Sequence, residues 1–194
     1  MADCTGGVVA CWIASQVDII TNVANSMKPI QRMVTGAAYL IGVLFIVKAI
    51  MSLKAFGESK TMMSSSHSFK EPMVFLVVGA LLLYFPTLVQ VLLNTAFGNS
   101  EYAQILAYGP MNSGSSAINT LFGESSALGA ALTVIIQTIG LIAFVRGWVI
   151  IAKSASQGQQ AGGFGKGMVH VCGGILAMNI IGTLQVINNT LYGT

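Results

Sequence analysis

Apolar residues in this chain gather into four long runs, at about residues 33–53, 72–97, 126–152 and 168–191. Each is long enough to cross the hydrocarbon core of a bilayer, which takes about 20 residues of α-helix. Segments such as VFLVVGALLLYF and LTVIIQTIGLIAF do not alternate apolar and polar positions, as strands of a membrane barrel would. The pattern predicts an all-α membrane protein with four transmembrane helices. Ahead of the first run, Val9, Trp12, Ile13, Ile20, Val23 and Met27 recur at helical spacing, with Gln16, Asp18 and Asn22 elsewhere around the wheel. That predicts a separate amphipathic helix within residues 1–30. It could lie in the membrane interface, pack on a partner, or cap the chain's own bundle.

The runs repeat. Ile41–Lys48 reads IGVLFIVK and Ile139–Arg146 reads IGLIAFVR, each with Ile-Gly first and Val followed by a basic residue at the end. Residues 79–98 read GALLLYFPTLVQVLLNTAFG and residues 174–193 read GILAMNIIGTLQVINNTLYG. Without a gap, Gly79, Leu81, Gln90, Val91, Asn94, Thr95 and Gly98 have identical counterparts, and Phe97 faces Tyr192. Shared hydrophobicity explains Leu and Val but not Gln, Asn, Thr and a terminal Gly in one register. The chain therefore divides into an interfacial segment (1–30), a first hairpin (31–98), a linker (99–125) and a second hairpin (126–194). Two tandem hairpins running the same way are parallel repeats, related by an axis along the membrane normal.

Charge adds a direction. Only 8% of the 194 residues are charged, against about 25% in a soluble domain, and they lie largely between the runs. Lys54, Lys60 and Lys70 join the first two runs, and Lys153 and Lys166 join the last two, whereas residues 98–125 hold only Glu101 and Glu124. Basic loops stay in the cytoplasm, so the linker and both termini are expected outside. Lys28 and Arg32 oppose this and are outnumbered. Asp3 stands where a cleavable signal would carry positive charge, so the first span is expected to direct its own insertion. A net charge of +3, scattered along the chain, makes no nucleic-acid surface.

Candidate chemistry is sparse. Lys48 and Arg146 lie within apolar runs, where an ionisable group suggests a polar path or an acidic partner; alternatively they snorkel to nearby headgroups. Gln90 with Asn94, and Gln185 with Asn189, form i,i+4 amide pairs whose faces should point at protein, line a channel, or simply close their helices. Small residues four apart (Ala38 with Gly42, Ala143 with Gly147, Gly173 with Ala177) are candidates for close helix packing. Pro86 should bend the second span, and because its counterpart is Ile181, only the first hairpin should be kinked. Residues 162–167, GGFGKG, lack the spacing of a phosphate loop and read as a flexible loop. His67 and His170 have no companion ligands, and a Cys4–Cys11 disulfide stays open, since it requires a non-helical stretch between them. Neither a catalytic motif nor a cofactor or metal site is expected.

This arrangement resembles the IcmC/DotE family of the Dot/Icm type IVB secretion system. The MADCTGG start and the paired IGxxxxV[KR] and QVxxNTx[FY]G segments carry the resemblance, which covers essentially the whole chain. It extends to the shorter IcmD/DotP and DotV proteins through a similar hairpin, and in layout alone to conjugative pilins. The resemblance implies an inner-membrane subunit that helps assemble or line the channel through which a Gram-negative bacterium exports effector proteins. Its partners would be the lipid bilayer and other Dot/Icm inner-membrane proteins such as IcmD/DotP, DotV and DotA, in a hetero-oligomer. The rival expectation is a small-solute transporter or channel lined by Gln90, Asn94, Gln185 and Asn189. A membrane enzyme ranks third, because the spans offer almost no His, Asp or Glu.

Overall fold

The computed structural model describes residues 7–61, 69–98, 126–156 and 163–192, and side chains within most of that range. Cys4, His67, the linker and its apolar patch at residues 102–108 lie outside it, as do the side chains of Cys11 and Gln185. The described residues form six helices and no strand: α1 (Gly7–Thr61), α2 (Lys70–Leu83), α3 (Phe85–Phe97), α4 (Ser126–Ser154), α5 (Gly163–Met178) and α6 (Ile180–Tyr192).

Only α1 and α4 are individually long and apolar enough to cross a membrane, over Asp18–Glu58 and Ala131–Ser154. The pairs α2–α3 and α5–α6 qualify only when each pair is taken together, and they bend by 88° and 93°. The chain is therefore an all-helical membrane protein with two to four candidate spans. No element boundary falls at residue 30, because the expected amphipathic segment and first span are one helix with Pro29 inside it. The α1 residues facing the bundle are Ala24, Gln31, Thr35, Ala38, Gly42 and Ala49. Their spacings of seven, four and three place them along one seam, and their small side chains let α4 and α2 come close.

The expectation of a single kink is overturned. Both downstream segments break, at Tyr84 and Asn179, which occupy the same place in the repeat. The means differ. In the first hairpin Pro86 sits in the opening turn of α3, where a missing N–H costs nothing but where it would interrupt a continuous helix. Tyr84 then ends α2 by donating to Ala80 O at 3.1 Å and begins α3 by accepting from Leu88 N at 2.8 Å. In the second hairpin no proline is present. Asn179 Oδ1 instead accepts from Gly182 N at 3.1 Å, capping α6. Thr183 Oγ1 lies 2.9 Å from the carbonyl oxygens of both Leu176 and Asn179, so one hydroxyl proton serves the backbone on both sides of the break. Short polar side chains compete with the helix for its own backbone groups, and here they end it.

The core joins the two hairpins. Phe75, Val78, Leu82, Phe85, Val89 and Leu93 from α2 and α3 share one buried cluster with Leu141, Phe144, Val145 and Ile151 from α4 and Met178 from α5. Phe144 is at its centre: its ring lies 5.8 Å from that of Phe85 and 6.1 Å from that of Trp148, the latter edge-on. Gln31 of α1 meets Thr138, whereas Phe85, which lies nearer the α1–α2 turn, meets Phe144 further along α4. Advancing along α1 therefore advances along α4, and the hairpins run in the same direction. The repeat would pair Thr138 with Leu40; its contact with Gln31 shows that the hairpins meet slid by about nine residues.

Candidate functional site

Each hairpin closes on a pair of glycines. A Cβ added to Gly42 would lie 3.0 Å from Gly79 O, and one added to Gly79 would lie 3.0 Å from Gly42 O. In the second hairpin a Cβ on Gly140 would lie 2.9 Å from Gly174 O, and one on Gly174 would lie 2.8 Å from Gly140 O. The surroundings correspond as well. Leu82 and Leu83 flank Gly42 as Ala177 and Met178 flank Gly140, and Ile46 lies against Gly79 as Phe144 lies against Gly174. Glycine costs a helix about 1 kcal/mol relative to alanine; here it lets two backbones touch. The repetition seen in the sequence is thus a repetition of one helix crossing.

The second hairpin has a further crossing. A Cβ on Gly147 would meet Val171 N at 2.8 Å and Gly167 O at 2.9 Å. This explains why GGFGKG is not the loop it was expected to be: from Gly163 onward it is the first turn of α5, and Gly167 is helical because it packs on Gly147. Of the expected packing positions, Ala38, Gly42 and Gly147 are buried, and Ala143 and Ala177 are half-buried, with Ala177 Cβ against Gly140. Gly173 is exposed, and a Cβ there would meet nothing within 4 Å. The contact belongs to Gly174, one residue and therefore about 100° further around the helix.

The amide pairs are not turned into the bundle. Gln90, Asn94 and Asn189 are exposed on α3 and α6, opposite a buried α3 face of Phe85, Val89 and Leu93. Both repeats end alike: Thr95 Oγ1 donates to Val91 O and Thr190 Oγ1 to Val186 O, each at 2.7 Å. Gly98 closes α3 in the left-handed region at φ 69°, which glycine adopts freely.

Lys48 lies with Nζ 4.3 Å from the centroid of the buried Phe75 ring, so its stem packs on the hairpin while the residue stays exposed. Its counterpart Arg146 is also exposed. Neither points into the bundle.

The buried polar groups are others. Gln31, Thr35, Thr133, Gln137, Thr138 and Asn179 are all nearly inaccessible. Gln31 Nε2 donates to Thr138 Oγ1 at 2.9 Å, joining α1 to α4, and Thr138 in turn donates to Val134 O at 2.8 Å. Thr35 and Thr133 donate to carbonyls one turn back. Asn179 Nδ2 is buried with no hydrogen-bond partner, an uncommon condition that is costly in an apolar medium. Sequence reasoning passed over these residues because they are uncharged, scattered in or beside apolar runs, and form no shared motif. Their signal was that uncharged polar residues in a span must find protein partners.

The Gln31–Thr138 bond crosses between hairpins, so its loss should weaken their docking without disturbing either one. Gln31→Leu and Thr138→Val are each expected to lower the melting temperature in detergent, by an amount equivalent to about 1 kcal/mol. The double variant should fall short of the sum of the two. Strict additivity would mean that the bond contributes nothing.

Among the described residues, no group of three or more His, Cys, Asp or Glu could hold a metal ion. No family model, curated protein or solved structure matches the chain.

Proposed function

We propose that the chain is an inner-membrane structural subunit of a type IVB protein secretion machine, helping to assemble or line the channel for exported proteins. On this reading it is a multi-pass protein of the bacterial inner membrane, with basic loops in the cytoplasm and the linker and termini outside. It has no catalytic role, and its partners are other Dot/Icm inner-membrane proteins, including IcmD/DotP, DotV and DotA. The observation that supports a scaffold is the duplicated glycine crossing: the chain spends its buried surface on building one helical hairpin twice. The secretion assignment itself rests on the sequence resemblance.

The test is removal of the gene from a host with an intact type IVB system. Export of effector proteins is expected to stop and to return with the full chain. Crosslinking mass spectrometry after gentle detergent extraction should yield peptides shared with other membrane subunits. Unchanged export in the deletion strain would refute the assignment.

One observation favours a transporter instead. Both downstream segments break at equivalent positions, and the second break carries the unpartnered Asn179 amide. Broken helices at the same point of two repeats are a feature of substrate sites in transporters. Purified protein that moved a solute across liposomes by itself, with Asn179→Leu abolishing the flux, would establish that reading.

A further inference from the structure

The repeat sets three equivalent residues near the loop end of each hairpin, and their charge differs between the copies. In the first hairpin they are Lys48 on α1 with Glu71 and Phe75, one turn apart, on α2; in the second they are Arg146 on α4 with Lys166 and His170 on α5. The first set is compensated within its own hairpin. Lys48 lies over the Phe75 ring, Glu71 stands in the opening turn of α2, and Lys54 pairs with Glu58 at 3.8 Å. The second set is basic throughout, and the described residues of that hairpin include no Asp or Glu. Its geometry keeps the three together. A Cβ on Gly147 would lie 2.8 Å from Val171 N, so the peptide joining His170 to Val171 touches α4 beside Arg146. His170 Nδ1 lies 2.8 Å from Lys166 O; a carbonyl only accepts, so Nδ1 carries the proton and Nε2 is the ring nitrogen left to meet a ligand. Arg146 and Lys166 are exposed, and His170 is half-covered.

We propose that Arg146, Lys166 and His170 bind the headgroup phosphate of an anionic phospholipid. Charge complementarity requires an anion from outside the hairpin, because the hairpin offers none of its own. The Arg146 guanidinium presents the planar fork that grips a phosphate at two oxygens, and Lys166 adds a second positive charge. Depth and surroundings make that anion a lipid. Gly167 packs between Gly147 and Ile151, which sets the neighbouring Lys166 about 6 Å short of the α4 end at Ser154, within a lysine's reach of the headgroups. From Arg146 toward the middle of α4, Ile142 and Ile139 continue the same stripe and are 45% and 60% exposed. An acyl chain lies along them while its phosphate meets the bases; a free anion would leave that stripe unused. The inference rests on the membrane placement and not on the secretion assignment.

The test titrates phosphatidylglycerol or phosphatidylcholine into full-length protein in a neutral detergent and counts lipid adducts by native mass spectrometry. Phosphatidylglycerol is expected to bind the unmodified chain more tightly than phosphatidylcholine, whose choline offsets the phosphate charge. Arg146→Gln and Lys166→Glu should each weaken phosphatidylglycerol binding by about fivefold, the worth of one cation beside an anionic headgroup. Lys48→Gln, at the compensated counterpart, should leave it unchanged. An excess of glycerol 3-phosphate should not displace the lipid, because it lacks the acyl chains. Circular dichroism and gel filtration confirm that each variant is folded. Equal binding of the two lipids, undiminished binding in the Arg146 and Lys166 variants, or an equal loss in Lys48→Gln overturns the site. Displacement by glycerol 3-phosphate overturns the lipid as its ligand. A deletion strain that still exports effectors refutes the secretion reading and leaves this result standing.

Discussion

Gly174→Leu should unfold the second hairpin, while Gly173→Leu, one residue away, should leave it folded. At Gly174 a new Cβ would meet Phe144 N and Gly140 O, both at 2.8 Å. These are backbone atoms of a helix that cannot move aside without separating α4 from α5. Overpacking typically costs 1–3 kcal/mol and more when backbone must shift, so a loss of about 3 kcal/mol is expected. At Gly173 nothing lies within 4 Å, and the change should cost less than about 1 kcal/mol. The measurement is the thermal melt of both variants in the same detergent, with monodispersity as a second readout. Equal melting temperatures would show that the Gly140–Gly174 crossing does not hold the hairpin together.

Phe144→Ala is expected to be the other severe change. The side chain is fully buried, its ring touches those of Phe85 and Trp148, and its Cβ lies against Gly174. It therefore links α3 of the first hairpin to both helices of the second. Truncating a buried phenylalanine costs about 3–5 kcal/mol through lost contacts and the residual cavity. Its counterpart Ile46 lies against Gly79 and is only partly buried, so Ile46→Ala should cost about half as much. Chemical denaturation in mixed micelles, followed by tryptophan fluorescence, can rank the two. An Ile46→Ala loss as large as that of Phe144→Ala would remove Phe144 from the centre of the fold.

Helicity, the apolar character of the segments and the repeat were all legible in the sequence, because each is written over many residues at once. Gly42, Ala38 and Gly147 were legible for the same reason: small residues in an apolar run have few roles other than close packing. The break at Asn179 was not, because a helix ended by a side-chain cap carries no proline to mark it. The run Asn179-Ile-Ile-Gly182-Thr183 held the signal, a capping side chain three residues before a glycine. Gly173 was mistaken for Gly174 because two adjacent glycines offer the same spacing to slightly different partners, and only the partner helix decides which one faces it. Gln90 and Asn94 are exposed because they lie opposite the buried stripe of Phe85, Val89 and Leu93 on α3; the sequence carries that two-sided pattern, but it does not say whether the polar side meets protein.

α2 and α5, at 14 and 16 residues, are about 21 and 24 Å long, some 6–9 Å less than the roughly 30 Å thickness of a bilayer's oily interior. Lipid tails beside them must splay or shorten to avoid leaving the two turned ends bare, at a cost of a fraction of a kcal/mol per Å. A molecule held in a bilayer would thus carry a pinched patch of membrane along one flank.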